Sequence, residues 1–315
     1  MADVVCLGIL VADIIAKSVK DVPERGELGI VEKIELHTGG CASNTGAALR
    51  KLGIDTALIG KVGDDGFGDY VVGEMSKRGL NVKGIKRDKE TNTSCSLALV
   101  EDDGERRFIH CYGADGTFAE NDVDWDIVRD CKILHIAGSL LMPTFDGDQT
   151  ANVLKKARNM GITTSLDTAW DAKGKWLETI EPSLKYIDIF LPSIEEARMI
   201  TGLDSEEEIA DFFLKYGMKI VGLKMGSKGC FIKSSKGEIV KFPVFNINAV
   251  DATGAGDAFV AGFLMGVLNG WDMKKTAEFA CAVGACCAQK IGARTGIRSF
   301  DETIKFIEEQ KQGSL

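Results

Sequence analysis

Thr56-Ala57-Leu58-Ile59-Gly60-Lys61-Val62 is a short β-rich apolar run, and the stretch Gly68 to Lys77 that follows it is helix-like. That strand–helix unit recurs along the chain. Val4 to Leu10, Lys132 to Ile136, Ile162 to Leu166, Ile187 to Leu191 and Met218 to Lys224 read as further buried strands. Between them lie the helix-like segments Ala42 to Leu52, Gln149 to Asn159, Ile194 to Thr201 and Glu206 to Lys215. Alternation of this kind predicts an α/β fold, a parallel sheet covered by helices on both faces.

Two regions break the pattern. Ala12 to His37 reads as extended segments joined by the turn-rich Pro23-Glu24-Arg25-Gly26, and Thr91 to Cys111 as two strands around the polar turn Glu101-Asp102-Asp103-Gly104-Glu105. Neither has helical periodicity, so the two are expected to pair into a small sheet outside the main one. Such a sheet would close over a site at the strand C-termini or pack against a second subunit. After Lys224 come a hairpin, Cys230 to Phe242, and a helical final third: Gly254 to Leu268, Lys274 to Gln289 and Asp301 to Glu309.

The chain has 315 residues, enough for one large domain with a small lid. Lys+Arg 38 against Asp+Glu 47 gives a net charge of -9, a balance that favours neither nucleic acid nor an anionic membrane as partner. The acidic start Met1-Ala2-Asp3 and the short apolar run after it do not make a signal peptide, and no stretch has the length of a membrane span. The cysteines number nine, without a Cys-x-x-Cys, and read as reduced buried thiols of a cytoplasmic protein. His37, His110 and His135 lie far apart and lack metal-ligand spacing.

The chemistry is concentrated in two glycine loops. Asp251-Ala252-Thr253-Gly254-Ala255-Gly256-Asp257 runs directly into the apolar helical stretch Ala258-Phe259-Val260-Ala261-Gly262-Phe263-Leu264. Glycines ahead of a helix let backbone N–H groups turn toward one point, and the helix dipole adds positive charge there. The result is an anion hole suited to a phosphoryl group in transfer. Asp257, in the first turn, is placed to accept a proton beside it. Taken alone, the run reads first as a tight turn in which Asp257 caps a helix, and it is the rest of the chain that reverses that order. The second loop, Gly39-Gly40-Cys41-Ala42-Ser43-Asn44, also enters a helix, with Asn44 in its first turn offering an amide donor and acceptor to sugar hydroxyls. Neither loop is a Walker loop or a dinucleotide fingerprint.

Gly39-Gly40 with Asn44, followed much later by Asp251-x-Thr253-Gly254-Ala255-Gly256-Asp257, resembles the two signature motifs of the ribokinase-like (PfkB) carbohydrate kinases, in order and in separation. Gly63-Asp64-Asp65-x-Phe67-Gly68 and Lys224-Met225-Gly226-Ser227-Lys228-Gly229 resemble intermediate landmarks of the same family. The resemblance implies a three-layer α/β/α ribokinase-like fold with a β-sheet lid from about 12–37 and 91–111. It further implies an ATP-dependent sugar kinase in which Asp257 deprotonates the acceptor hydroxyl and Gly254, Ala255 and Gly256 form the anion hole. Asp13, Gly39, Gly40 and Asn44 would bind the sugar. Lys224, Gly226, Gly229 and Thr253 would lie on the nucleotide side. Asp251 and the Thr253 carbonyl would belong to a monovalent-cation (K+) site, completed from around Ala288, Gly292 and Gly296.

One departure stands out. Where the family has Asn-x-x-Glu tied to the water shell of Mg2+, this chain has Ser193-Ile194-Glu195-Glu196. Glu196 keeps its place and Ser193 is shorter than Asn, so altered magnesium dependence is expected. Arg106 and Arg107 on the lid read either as contacts to an anionic sugar or as a solvated edge, since adjacent strand residues face opposite ways. Gly113-Ala114-Asp115 resembles an element near the sugar in several family branches. Asp167, at a strand C-terminus, reads as a ligand contact or a structural turn. A fructose- or 2-keto-3-deoxygluconate-like substrate is favoured. A nucleoside kinase of the same fold and a non-catalytic sugar-binding regulator are the alternatives, and a homodimer through the lid is a further expectation.

Overall fold

Val4 and Cys6 point to one side of the first strand, Val5 and Leu7 to the other, and all four are fully buried. Successive strand residues face opposite ways, so a strand buried on both faces is the middle of a three-layer structure. The computed structural model describes residues 2–19, 22–101 and 106–313; the expected turn at 101–105 falls outside them from 102 onward, as does the side chain of Arg106.

The chain runs β1 (Val4–Gly8), β2 (Val11–Lys17), β3 (Lys33–Gly39), α1 (Cys41–Lys51), β4 (Thr56–Gly63), α2 (Gly66–Lys77) and β5 (Asn81–Asp88). It continues through β6 (Cys95–Val100), β7 (Arg106–Cys111), α3 (Trp125–Val128), β8 (Ile133–Ser139), α4 (Asp148–Asn159), β9 (Thr163–Thr168) and α5 (Leu177–Leu184). Then follow β10 (Ile189–Phe190), α6 (Ile194–Thr201), α7 (Glu206–Leu214), β11 (Ile220–Lys224), β12 (Cys230–Ser234) and β13 (Ile239–Phe242). The last elements are α8 (Ala255–Leu268), α9 (Met273–Ala288) and α10 (Phe300–Gly313).

A nine-stranded sheet has the order β13-β12-β11-β10-β9-β8-β1-β4-β5. It is parallel from β5 to β11 and antiparallel through β12 and β13. Residues of α1, α8, α9 and α10 share one core with the Val4 side, and residues of α4, α6 and α7 share the other with the Val5 side. α8 is buried from Ala258 to Gly266. It lies tight on α9, because a Cβ at Gly262 would come 2.8 Å from the Ala280 Cα.

The small sheet has the order β3-β2-β6-β7 and comprises the two expected extended regions. Its centre is a parallel pair, β2 with β6, flanked by antiparallel neighbours. Three elements lack a counterpart in the sequence reading. β5 is an edge strand with mostly solvated side chains, α3 is a single turn of four residues, and α5 carries Pro182 within it. The expected strand over 187–191 is paired only at Ile189–Phe190.

Candidate active site

The two glycine loops open the adjoining helices α1 and α8. Gly40 has φ 89°, and a Cβ there would sit 2.3 Å from the Ile9 carbonyl oxygen; Gly254 has φ 75°, with the Ala293 carbonyl oxygen 2.5 Å from the missing Cβ. Both positions therefore demand glycine. Polar side chains at the two helix starts meet. Asn44 Nδ2 donates to Asp257 Oδ2 at 2.9 Å, and Thr45 Oγ1 donates to the Asp257 carbonyl at 3.4 Å. Burial raises Asp257 above the usual carboxylate range, while the Asn44 hydrogen bond and the Lys224 charge pull against that rise.

Beside this pair, the C-terminal ends of β9, β10 and β11 converge. Lys224 Nζ holds both oxygens of Asp167, at 2.6 and 2.7 Å, with side-chain exposures of 13% and 2%. Burial opposes the charged ammonium, but Asp167, Glu196 and Asp257 outweigh it and raise its pKa. Ser193 caps α6: its Oγ accepts from the Glu196 amide at 3.2 Å, and its own amide donates to Glu196 Oε2 at 2.9 Å. Thr168 Oγ1 donates to the same Glu196 oxygen at 2.8 Å.

A cavity of about 990 Å³ separates the small sheet from the loops around 250–253 and 291–297, and Asp13, His37, Ser96, Phe108, Asp251 and Arg294 are among its lining residues. Burial pushes Asp13 up to about 6, with Ser96 and Arg294 working against it. Gly39 lies against Asp13, since a Cβ on it would meet Asp13 Oδ2 at 1.9 Å. Arg107 is placed differently. It is exposed, pairs with Glu101 at 2.8 Å and sits beside Phe108, whose alternate strand face is the one toward the cavity. Asp115 is buried, and both its oxygens accept from the Leu10 amide at 3.1 Å, so it holds the turn between β1 and β2.

Asp251 binds the loop after α9. Its Oδ1 accepts from the Thr253 amide and hydroxyl at 2.9 and 2.6 Å, and its Oδ2 from the Gly292 amide at 2.8 Å. Gly226 opens a short 3-10 turn after β11. Gly229 ends that turn at φ 86°, with the Phe242 carbonyl oxygen 2.0 Å from where its Cβ would be. Neither glycine lines the large cavity; both flank a shallower one of about 230 Å³ lined by Met225, Lys228, Phe242 and Pro243. Two contributors escaped the sequence reading. The Lys224–Asp167 ion pair joins residues named singly. Arg294 donates from Nη1 to Asn44 Oδ1 at 3.1 Å and from Nη2 to the Thr38 carbonyl. Its position between Gly292 and Gly296, in a loop already marked by those glycines, was the available signal.

Comparison with known proteins bears on the family and the fold. A model of the pfkB family of carbohydrate kinases matches residues 1–299. An uncharacterized sugar kinase from Pyrococcus horikoshii is 30% identical over 292 residues, covering 90% of this chain and 91% of that one. Its structure in complex with ATP superposes with a TM-score of 0.76, at 28% identity, over 98% of this chain and 99% of that one. The 2-dehydro-3-deoxygluconokinase of Bacillus subtilis is 28% identical over 299 residues, 91% of this chain and 92% of the other. Fructokinase-2 of Oryza sativa is 32% identical over 274 residues, 81% of this chain and 80% of the other.

Proposed function

The chain belongs to the pfkB family of carbohydrate kinases, phosphotransferases acting on a sugar hydroxyl, and from that premise we propose that it transfers the γ-phosphoryl group of ATP with Asp257 as general base. The observation that carries this reading is the Asn44–Asp257 hydrogen bond of 2.9 Å, which joins the sugar-side loop to the phosphoryl-side loop. The acceptor hydroxyl, held by Asp13, Gly40 and Asn44, forms its bond to phosphorus as the bond to ADP breaks, and its proton passes to the Asp257 carboxylate. The N–H groups of Gly254 and Gly256, at the start of α8, receive the charge that develops on the phosphoryl oxygens, whereas that of Ala255, expected to join them, donates to the Ala252 carbonyl at 3.1 Å. Lys224, Thr253, Gly226 and Gly229 serve the nucleotide side.

Among the described residues no group of three His, Cys, Asp or Glu could hold a metal ion. Mg2+ commonly keeps several waters and takes one or two carboxylates together with substrate phosphates. Glu196, ordered by the Ser193 amide and the Thr168 hydroxyl, fits that outer role. Bound there, the ion would screen the phosphate charge. Asp251, tied to the Gly292 amide, is the residue we assign to a K+ site.

The small sheet acts in this reading as a lid that excludes water from the cavity. Its exposed Ile34 and Ile109 support a homodimer through that sheet. The substrate is fructose-like or a 2-keto-3-deoxygluconate-like acid. The test is a coupled ADP-release assay over fructose, 2-keto-3-deoxygluconate, ribose, adenosine and inosine. Saturable release with a sugar supports the proposal; release with the nucleosides alone makes the chain a nucleoside kinase. Sugar binding without any release makes it a regulator on a kinase scaffold.

A further inference from the structure

Arg294 is a cation in an unusual setting. It lines the 990 Å³ cavity, and its two hydrogen bonds to described residues go to neutral acceptors, Asn44 Oδ1 and the Thr38 carbonyl. Among the described residues no carboxylate forms an ion pair with it. The other cations of the same wall are differently placed: Lys17 is neutralised by Glu35 at 2.8 Å, and Lys51 and Arg78 are exposed to solvent. Asp13 and Asp257 lie near enough to act on its charge without pairing with it, so the guanidinium keeps donors that the anion of a ligand can take. Desolvation is visible in Arg294 itself, whose pKa burial lowers to about 10.

Its position is constrained from behind. The Gly292 amide is held by Asp251 at 2.8 Å, and Ala293 packs on the side-chain-free face of Gly254, the glycine that opens α8. Arg294 is therefore indexed to the phosphoryl-side loop through its own backbone and to the sugar-side loop through Asn44. Five N–H groups in a planar fork exceed what two neutral acceptors need, and the remaining donors match the bidentate geometry of a carboxylate. One half-buried guanidinium balances one negative charge. A phosphate ester would leave a second charge with only the exposed rim residues to answer it.

We infer that Arg294 receives the carboxylate of the acceptor and makes this chain selective for a sugar acid over a neutral sugar. The inference rests on the proposed kinase reading of the same cavity and adds the substrate's charge class and the residue that reads it. One hydrogen bond from Arg294 also reaches Asn44, so any substitution will disturb catalysis on every acceptor. The diagnostic quantity is thus the ratio between acceptors.

The experiment compares kcat/KM for 2-keto-3-deoxygluconate, fructose and fructose 6-phosphate in the wild type, Arg294→Gln and Arg294→Lys. The wild type should prefer the acid. Arg294→Gln should lower kcat/KM for the acid by roughly 10- to 100-fold more than for fructose, the scale of a charge-assisted hydrogen bond, and Arg294→Lys should fall between. Equal losses on acid and neutral sugar, or a wild-type preference for fructose or for fructose 6-phosphate, would overturn the inference. A second measurement needs no variant. In calorimetry on the wild type, gluconate should bind at least about 10-fold more tightly than its uncharged counterpart sorbitol, and equal binding would overturn the assignment. Because that readout is binding, it still decides the role of Arg294 if no sugar supports ADP release, the outcome that would instead defeat the kinase reading.

Discussion

Asn44 and Asp257, 213 residues apart in sequence, are joined by a 2.9 Å hydrogen bond from Nδ2 to Oδ2 at the point where α1 and α8 begin. The bond also orients the amide, because its Oδ1 accepts from Arg294 at 3.1 Å. In the proposed reaction, sugar recognition and proton transfer thereby share one side chain.

The first consequence concerns pH. Burial raises the Asp257 pKa and the Asn44 hydrogen bond lowers it. A general base works only when ionised, so activity is lost as pH falls through its pKa. Asn44→Ala removes a lowering influence, and the acidic limb of the kcat/KM profile should move to higher pH. A limb that stays in place, or moves lower, would mean that Asn44 does not act on the base.

Lys224 and Asp167 form a second pair, buried and bidentate at 2.6 and 2.7 Å. Lys224→Met leaves the Asp167 carboxylate without its counter-charge and should destabilise the fold by about 3–5 kcal/mol in urea unfolding. Lys224→Met with Asp167→Leu should recover most of that loss, since neither member of the pair is then left without the other. A single variant as stable as the wild type would contradict the pairing.

Gly39 presses on Asp13, with only 1.9 Å between the position a Cβ would take on Gly39 and Asp13 Oδ2. Gly39→Ala should turn the Asp13 side chain away from the cavity. The KM for the sugar should rise by about 10-fold, as one hydrogen bond to a charged group is lost, while the KM for ATP stays near its wild-type value. A rise confined to ATP would place Asp13 outside the sugar site.

Ser193 closes a capping box with Glu196 and thereby orders the carboxylate that we assign to the Mg2+ water shell. Asn caps helices as well as Ser does, so Ser193→Asn should keep the thermal midpoint. Its longer amide should lower the Mg2+ concentration for half-maximal rate by roughly 10-fold, the scale of such outer-shell effects. An unchanged magnesium titration would detach Ser193 from the metal.

Much of this architecture was legible because its signals are local. The buried parallel strands announce themselves as short apolar runs, and α1 and α8 as helices opened by glycines whose backbones admit no Cβ. β5 was not legible, since an edge strand with mostly solvated side chains has no apolar run to read. The choice between Arg107 and Phe108 as the cavity-facing neighbour depends on register, with Ala98 opposite Phe108, which strand alternation alone leaves undecided. Asp167 was read with two roles open, and the geometry adds a third, as counter-ion to Lys224. Arg294 meets Asn44 across 250 residues from a loop without periodicity, so only the folded chain brings them together.

The most direct measurement is the turnover of Asp257→Asn in a coupled ADP-release assay, on the sugar that serves the wild type best. Asn preserves the size of the side chain and can still meet Asn44, but it cannot take the acceptor proton. Turnover should fall by roughly 10²- to 10⁴-fold, the range for loss of a general base, with ATP binding by calorimetry near the wild-type value. Turnover within a few-fold of the wild type would contradict the assignment of Asp257 as the base.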